Sequence, residues 1–289
     1  MTYAALIVIH QSAGHLEALL HSLARHPHPP AQLVVVDSGS SDAGAEIAAA
    51  HGAQVIALDA NRGFGAANNV GLHAVNHEVT VLLNPDCEVL DDSLSRLAAL
   101  AGAHNALFVP RLLSPDASPQ RSVHPLPGRA DALVPALWPP RALPRALREH
   151  FEPWRAQRPR CVGWAIAACL AARTSLLRRL GPFDPDTFLF YEDLELCLRA
   201  RAAGVGVELR PELRVVHHGA HATGPAFGGE AFASQARRRR AVIAGHLGPR
   251  ALAVDDLAQA LTFATRAAVG RERARNTAHL RALLSARRT

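Results

Sequence analysis

The stretch VTVLLNPDCEV, residues 79–89, joins a buried strand to an abrupt polar end. Four of its first five residues are apolar and three are β-branched, which is typical of an interior strand of a parallel sheet. Ligands of open α/β sheets bind at the carboxyl ends of such strands. Asp86 and Glu88 are therefore predicted to face a binding crevice, with Pro85 stiffening the turn. Taken alone, Asn84-Pro85-Asp86 is also simply a favourable turn sequence. Other segments of the sequence must decide between a binding site and a simple turn.

Strands and helices alternate through the first third of the chain. Apolar runs predict strands at 5–9, 33–37, 54–58 and 79–83, and helical patterns lie between them at 15–26, 41–52 and 63–75. Asp42 is the predicted N-cap of the second helix. Regular alternation of this kind predicts a parallel sheet with helices on both faces, joined by right-handed crossovers. A further helix at 91–102 and a strand at 106–110 continue the pattern.

The pattern changes after residue 110. Residues 111–160 contain scattered prolines, as a functional lid or loop does. Apolar sequence then predicts one strand at 164–173, a helix at 191–204 and two short strands at 205–211 and 213–218. From residue 231 onward the sequence has amphipathic helical periodicity with arginine on the polar face.

Length and composition limit the class of protein. The 289 residues are 49% hydrophobic, which suffices for one large α/β domain with a helical appendage. The longest apolar run, residues 161–172, is shorter than the ~18 residues that span a membrane. Without a basic leader or a cleavage site at the N-terminus, the protein is expected in the cytoplasm. The four cysteines form no C-x-x-C pair and are expected to be reduced thiols.

Positive charge is concentrated in the tail. All 31 basic residues are arginine, and 12 of them lie in residues 237–289 beside 3 acidic residues. Residues 1–236 carry a net charge of −3, and the tail carries +9. This asymmetry indicates an anionic partner, either a membrane surface or a nucleic acid. The alternative is a solvated surface that reflects arginine-rich codon usage.

The segment VVVDSGSSD, residues 34–42, suits a nucleotide. A strand ends at Asp37, small residues follow, and a helix begins near Asp42, so the Asp37 carboxylate could accept hydrogen bonds from a base or ribose. Alternatively, Asp37 and Asp42 serve only to cap the helix and to stabilise the turn. The first strand is not followed by G-x-G-x-x-G, which argues against a dinucleotide-binding dehydrogenase, and GSSDAG lacks the lysine of a P-loop.

The segment NRGFGAANNVG, residues 61–71, offers glycines and polar side chains together. Gly63 and Gly65 would allow close approach of the backbone to a ligand. The polar side chains are Asn61, Arg62, Asn68 and Asn69. Helix capping alone would not need so many of them, so we predict a ligand contact here.

Carboxylates mark two further places. Asp86 and Glu88 supply hard oxygen ligands suited to Mg²⁺ or Mn²⁺ bridging a diphosphate. Glu192, Asp193 and Glu195 crowd the start of a predicted helix behind the aromatic run of FLFYEDLELCLR, residues 188–199. Acids are favourable at any helix N-terminus, but the same arrangement is also expected of a general base.

These segments together resemble family-2 glycosyltransferases of the rhamnosyltransferase-like branch. The resemblance covers residues 4–220 and rests on five blocks in order: VVVDSGSSD, NRGFGAANN, LLNPDCEV, LGPFDPDTFLFYEDLELCLRARAAG and VVHHG. It implies a GT-A fold and inverting transfer of a sugar, such as rhamnose, from a dTDP-, UDP- or GDP-linked donor. The implied acceptor is a glycan or lipid-linked hydroxyl in cell-surface polysaccharide or glycolipid synthesis, and no nucleic acid partner is expected.

The resemblance also implies roles for individual residues. Asp37 would contact the nucleobase, Asn84 and Asp86 would be the two ends of the D-x-D metal motif, and Asp193 would be the base. His217 matches a histidine that completes the metal shell in some relatives. Two departures exist. Asn84 replaces the first aspartate, which predicts weak or exchangeable metal binding, and His10-Gln11 replaces the usual Tyr-Asn at the nucleotide. The cluster His217, His218 and His221 could instead form a small zinc site.

The implied mechanism is a single in-line displacement. Asp193 would remove the acceptor proton, while Asp86 with Mg²⁺ or Mn²⁺ would stabilise the departing nucleoside diphosphate. Glu192 and Glu195 would position acceptor hydroxyls or raise the basicity of Asp193. Two alternatives remain: a catalytically silent nucleotide-sugar-binding or assembly protein, and a nucleotidyltransferase, for which HQSAGH after the first strand is a poor phosphate loop.

We therefore predict an α/β protein of GT-A type: a mostly parallel sheet flanked by helices, with a C-terminal helical extension. Residues 1–230 would form the glycosyltransferase domain. It would comprise a Rossmann-like nucleotide-sugar-binding half (1–110), a Pro-rich acceptor-side loop (111–160) and an acceptor and catalytic half (161–230). Residues 231–289 would form the basic extension. If this tail binds anionic lipid, the protein would lie on the inner face of the cytoplasmic membrane.

Overall fold

The computed structural model describes residues 2–138, 142–181, 183–184, 188–219 and 231–287. Within them, nine strands form one sheet, of which eight follow the order β3-β2-β1-β4-β10-β6-β11-β5 while β8 pairs with β11. The first strands are β1 (Ala4–Ile9), β2 (Gln32–Ser38), β3 (Gln54–Leu58), β4 (Val79–Leu83), β5 (Cys87–Val89) and β6 (Leu107–Leu113). The remaining strands are β7 (Val123–His124), β8 (Arg160–Val162), β9 (Trp164–Ala165), β10 (Cys169–Arg173) and β11 (Val207–His217). This mixed, mostly parallel sheet flanked by helices confirms the predicted fold class.

The first four strands form the parallel half of the sheet. β1 lies between β2 and β4, with Ile9 opposite Asp37 and Ile7 opposite Leu83. All residues of β1 and β4 are buried, because helices cover both faces. The helices are α1 (Ala13–Ala24), α2 (Gly44–Ala50), α3 (Phe64–Ala74), α4 (Ser93–Ala103), α5 (Leu133–Leu137), α6 (Arg145–Phe151), α7 (Thr174–Leu180) and α8 (Glu192–Ala202).

Each face of the sheet has its own apolar core. Alternate residues of β1 pack into different cores: Leu6 and Val8 join residues of α3, α7 and α8, whereas Ile7 and Ile9 join residues of α1 and α4. This is the period of two that a strand imposes on its side chains. Because β1, β2, β3 and β4 run parallel, their carboxyl ends lie at one edge of the sheet, where Asn84-Pro85-Asp86 follows β4.

The second half of the sheet departs from the prediction at two places. The single strand predicted at 164–173 is wrong, because Trp164–Ala165 pairs with β7 in a separate two-stranded sheet and only Cys169–Arg173 pairs with β4. The two strands predicted at 205–211 and 213–218 are one strand, β11. Its register against β6 shifts between Arg210 and Arg214, around Pro211, which has no N–H to donate to the ladder.

Two smaller expectations also change. Residues 111–160 contain β7, α5, α6 and 3₁₀ turns at Ala130–Ala132 and Pro153–Arg155, so the described part of this segment is not one continuous loop. Asp42 is not the N-cap of α2, which begins at Gly44. Its carboxylate instead accepts from the Ala13 amide at 2.8 Å and the Gly44 amide at 3.2 Å, and so ties α1 to α2.

The tail is helical, as predicted. It comprises α9 (Phe232–Ala268) and α10 (Arg273–Ala286), and α9 is interrupted at Gly248, where φ is 83° before Pro249. α9 packs against α5, α8 and α10. No helix in the described ranges has the length and apolar character that crossing a bilayer requires. The four cysteines are free thiols.

Candidate active site

A cavity of about 300 Å³ opens where β1 and β4 end. The residues after β1 and β4, the turn before α3, the link between β9 and β10, and the start of α8 all contribute to its lining. Nine predicted site residues line it: His10, Gln11, Asn61, Gly63, Asn84, Asp86, Glu192, Asp193 and His217. The structure thus places groups between residues 8 and 217, far apart in the sequence, around one space.

Asp86 is an ionised carboxylate held by several donors. One carboxylate oxygen lies 3.4 Å from His217 Nε2, and the other accepts from the Gly219 amide at 3.0 Å. Burial by itself would raise the pKa of Asp86, but the hydrogen bond and charge of His217, with backbone donors, outweigh it and lower the pKa below its ordinary value. This wall of the cavity therefore carries a fixed negative charge.

Gln120 orients His217. Its side-chain oxygen lies 3.0 Å from His217 Nδ1, and its amide nitrogen donates to the His217 carbonyl. An amide oxygen only accepts, so Nδ1 is the protonated nitrogen in this contact. Nε2 is thereby turned toward Asp86 and the cavity.

Asn84 supplies a further oxygen atom beside Asp86. Its side-chain Oδ1 is buried and has no hydrogen-bond partner among the residues that the structure describes. An unpartnered buried oxygen is costly unless a ligand completes it. Asn84 Oδ1, the Asp86 carboxylate and His217 Nε2 are oxygen and nitrogen donors of the kind that divalent cations accept, so this donor set fits a cation.

Glu192 and Asp193 form a different wall. α8 begins after Phe190 and Tyr191, which both have left-handed backbone conformations, with φ of 78° and 63°. Asp193 accepts from the Leu194 amide at 2.7 Å, and burial raises its pKa above the ordinary value. Burial, and then the charge of Asp193, raise the pKa of Glu192, whose Oε2 has no partner within the described part of the chain.

Five predicted residues lie outside the cavity lining. Asp37 accepts from the Ser40 amide at 3.0 Å, and the buried Asn68 donates to the Phe64 carbonyl inside α3 at 2.9 Å. Glu88 faces His218 at 3.4 Å. Glu195 lies 3.4 Å from Arg199 and 3.5 Å from His246 on the tail. The fifth is Arg62, which is exposed.

Gly63 approaches another backbone segment closely. With φ at 81°, it lies so near residue 188 that a Cβ atom would come within 2.0 Å of the Phe188 carbonyl oxygen. The predicted close approach is therefore present, but its partner in the structure is the segment that leads into α8. Gly63 consequently couples the turn after β3 to the wall that carries Asp193.

His10 and Gln11 occupy the end of β1. His10 Nδ1 lies 2.9 Å from the Ser38 carbonyl oxygen, and Gln11 Nε2 donates to Ser41 at 3.0 Å. Gln11 has a φ of 51°, which is strained for a residue with a side chain. These contacts tie the ends of β1 and β2 together at the edge of the cavity.

The zinc interpretation gains no support. His217 faces Asp86, while His218 faces Glu88, and His221 lies outside the described residues. Across the described ranges, no three His, Cys, Asp or Glu side chains are grouped as a metal site would require. The site around Asp86 and His217 offers three candidate ligands only when the side-chain oxygen of Asn84 is counted.

The sequence did not identify several residues of the site. Gln120, Ile166, Phe188 and Leu189 either orient His217 or line the cavity. Gln120 lies in the Pro-rich region, 97 residues from its partner, and no local pattern signals such a contact. Phe188 and Leu189 belong to the aromatic run before α8 and could have been named from it.

The sheet order, the helices on both faces and the cavity at the strand ends together define an α/β protein of GT-A type. The model of the family described as glycosyl transferase family 2 matches residues 5–166, and the chain belongs to that family. This confirms the predicted family, and it leaves the other two classes considered, a silent binding protein and a nucleotidyltransferase, without support.

Individual relatives agree with the family. The chain is 29% identical to the N-acetylglucosaminyl-diphospho-decaprenol L-rhamnosyltransferase of Mycobacterium tuberculosis over 237 residues, which cover 75% of this chain and 76% of the relative. It is 24% identical over 196 residues to the low-salt glycan biosynthesis hexosyltransferase Agl10 of Haloferax volcanii, covering 65% of this chain and 59% of Agl10. The mannosyltransferase PcManGT of Pyrobaculum calidifontis, in complex with GDP-Man and Mn²⁺, superimposes with a TM-score of 0.62 at 17% identity, covering 98% of this chain and 85% of PcManGT.

Proposed function

We propose that the protein is an inverting glycosyltransferase that moves a sugar from a nucleoside-diphosphate donor to an acceptor hydroxyl. Rhamnose is the sugar that we propose. One observation carries the proposal: Asp86 and Asp193, more than a hundred residues apart, line the same cavity. The similarity to a rhamnosyltransferase over 75% of the chain supports the choice of sugar.

The reaction is one displacement at the anomeric carbon. Asp193 accepts the proton of the acceptor hydroxyl, whose oxygen forms the new bond to the anomeric carbon. The bond from that carbon to the diphosphate oxygen breaks, and the nucleoside diphosphate leaves with the electron pair. A single attack from the opposite face inverts the configuration. The raised pKa of Asp193 makes it a stronger base than an ordinary aspartate.

Asn84, Asp86 and His217 would hold a Mg²⁺ or Mn²⁺ ion. When bound, the cation would offset negative charge on the leaving diphosphate. Asp86 is ionised and fixed by the Gly219 amide, and Gln120 orients His217. The presence of Mn²⁺ with GDP-Man in the structurally similar mannosyltransferase supports this assignment.

A donor panel tests the function. Thermal unfolding should be measured with dTDP, UDP and GDP, each with and without Mn²⁺, and free nucleoside diphosphate should be followed with the corresponding sugar donors. We expect one base to raise the unfolding temperature more in the presence of Mn²⁺ and one donor to be consumed. If no nucleotide stabilises the protein and no donor is consumed, the proposal is wrong.

We further propose that the acceptor is lipid-linked and that the protein docks on the inner face of the cytoplasmic membrane. Leu137 and Trp138 are 66% and 59% exposed at the end of α5, and Val134 and Leu147 are also exposed. α5 lies against the basic helix α9, where Thr265 donates to the Ala136 carbonyl at 3.2 Å. Apolar and tryptophan side chains beside a basic helix suit an anionic bilayer.

Flotation with vesicles tests the docking surface. The protein should float with anionic vesicles in low salt, and the Leu137→Ser, Trp138→Ala double variant should float at least several-fold less. Leu90→Ser is the matched control, because Leu90 is 51% exposed on another part of the surface. Equal flotation of all three proteins, or none, would contradict the docking surface without touching the catalytic proposal.

A further inference from the structure

One arginine of the C-terminal extension contacts the residue that precedes α8. Arg239 lies on α9 with a side chain that is 15% exposed. Its Nε and Nη2 atoms donate to the two oxygens of Asp255 at 2.8 and 2.7 Å, and Asp255 is itself buried. This paired, two-bond geometry fixes the plane of the guanidinium group.

The same guanidinium group faces Tyr191. Its Cζ atom lies 5.6 Å from the centre of the Tyr191 ring, within the range of a cation–π contact. On another side, the Tyr191 ring contacts Trp164, with ring centres 6.2 Å apart. Tyr191 is thus held between a buried tryptophan of the α/β domain and an arginine of the tail.

Tyr191 occupies a costly backbone position. It and Phe190 are consecutive non-glycine residues with positive φ, a conformation that persists only where the surroundings hold it. Tyr191 is also the residue from which α8 begins, and its carbonyl accepts from the Glu195 amide at 3.0 Å. The next two residues, Glu192 and Asp193, line the cavity.

We propose that Arg239, oriented by Asp255, is a positioning residue that holds Tyr191 in its left-handed conformation and thereby sets Asp193 in the cavity. The inference rests on the proposed role of Asp193. It assigns the basic extension a part in the active site, because a residue of α9 holds the residue from which α8 begins. Arg238 makes a separate contact, since it lies 3.8 Å from Asp184 and its charge acts to lower the pKa of Glu192.

The neighbouring ion pair provides a matched control. Arg240 pairs with Asp256, and both pairs join residues 16 positions apart across the interruption at Gly248. The ring contact with Tyr191 is made by Arg239. If these arginines only hold the tail together, lysine at either position should have the same effect.

Arg239→Lys and Arg240→Lys should therefore be compared. Lysine keeps the charge and the fold but loses the planar two-bond geometry. We expect Arg239→Lys to lower kcat by about 10- to 100-fold with KM for the donor nearly unchanged, because a displacement of about 1 Å has that effect. Arg240→Lys should keep kcat within about threefold at a similar change in unfolding temperature.

Hydrogen exchange gives a measure that needs no turnover. Amides of residues 189–195 should exchange faster in Arg239→Lys than in Arg240→Lys, and Tyr191→Leu should reproduce the Arg239→Lys result. Equal exchange and equal kcat in the two lysine variants would overturn the inference. If the wild-type protein transfers no sugar, the proposed function fails, while the exchange comparison still tests the positioning role.

Discussion

Two walls of the cavity carry carboxyl groups, and the pKa values of these groups are shifted in opposite directions. Asp86 lies among donors, and its pKa is lowered despite partial burial, whereas burial raises the pKa values of Glu192 and Asp193. Groups whose environments separate their pKa values are suited to different tasks. In the proposed function, the Asp86 wall would remain charged and hold a cation with a diphosphate. The α8 wall would accept a proton.

The largest expected effect follows from removing the proton acceptor. Asp193→Asn should lower kcat by about 10²–10⁴-fold, because the amide cannot accept the acceptor proton. Affinity for the nucleoside diphosphate should stay within about twofold, as measured by calorimetry. Glu46→Gln, which removes an acid from the first turn of α2 on the surface, is the control and should retain activity. Retained turnover in Asp193→Asn would remove this residue from the role.

A smaller effect is expected on the other wall. Asp86→Asn should weaken nucleoside diphosphate binding on the order of 100-fold in the presence of Mn²⁺ and much less in its absence. Glu88→Gln should change neither value by more than about twofold, since Glu88 faces His218 outside the cavity. Titration calorimetry with and without Mn²⁺ measures both. Equal losses in the two conditions would mean that Asp86 acts without a cation.

The smallest effect concerns stability. Glu192→Gln removes a carboxyl group whose ionised form is disfavoured by burial. It should therefore raise the free energy of unfolding at neutral pH, and each kcal/mol gained should raise the unfolding temperature by about 2–4 °C. The gain should vanish below pH 4.5, the ordinary pKa of glutamate, because the wild-type side chain is then protonated in both folded and unfolded chains. It should grow as the pH rises from 4.5 toward the raised folded pKa of about 8 and stay constant above it.

Thermal unfolding of both proteins between pH 4 and pH 8 measures this difference. A gain that does not depend on pH would show that packing, and not ionisation, separates glutamate from glutamine here. A loss of stability at neutral pH would mean that the carboxyl group makes a favourable contact and that the α8 wall is less different from the Asp86 wall than we infer.

Much of the fold was predictable because it depends on local periodicity. The four parallel strands follow from continuous apolar runs, and the helices between them follow from apolar residues at helical spacing. The errors fall where pairing between distant residues decides. Residues 164–172 are apolar throughout, yet Trp164–Ala165 pairs with β7 and Cys169–Arg173 with β4. An apolar run alone does not specify which strand it will pair with.

The candidate site was partly predictable for a related reason. Residues directly after strands, such as His10 and Asp86, can be located once the strands are known, because parallel strands end at one edge of the sheet. Contacts within a helix or across the surface are not visible in this way. Asn68 belongs to the predicted polar set, but its side-chain amide donates a hydrogen bond to the Phe64 carbonyl within α3. Glu195 belongs to the acidic run, but it faces Arg199 and the tail.

The sequence by itself determined the class of the protein: an alternating α/β chain with ordered motifs that place it among family-2 glycosyltransferases. Tertiary structure alone decided which carboxylates share a cavity, that the close approach of Gly63 is to Phe188, and that Arg239 of the tail faces Tyr191. The physical reason is that burial, ionisation and side-chain contact depend on residues far apart in the chain. Local periodicity carries no information about those distances.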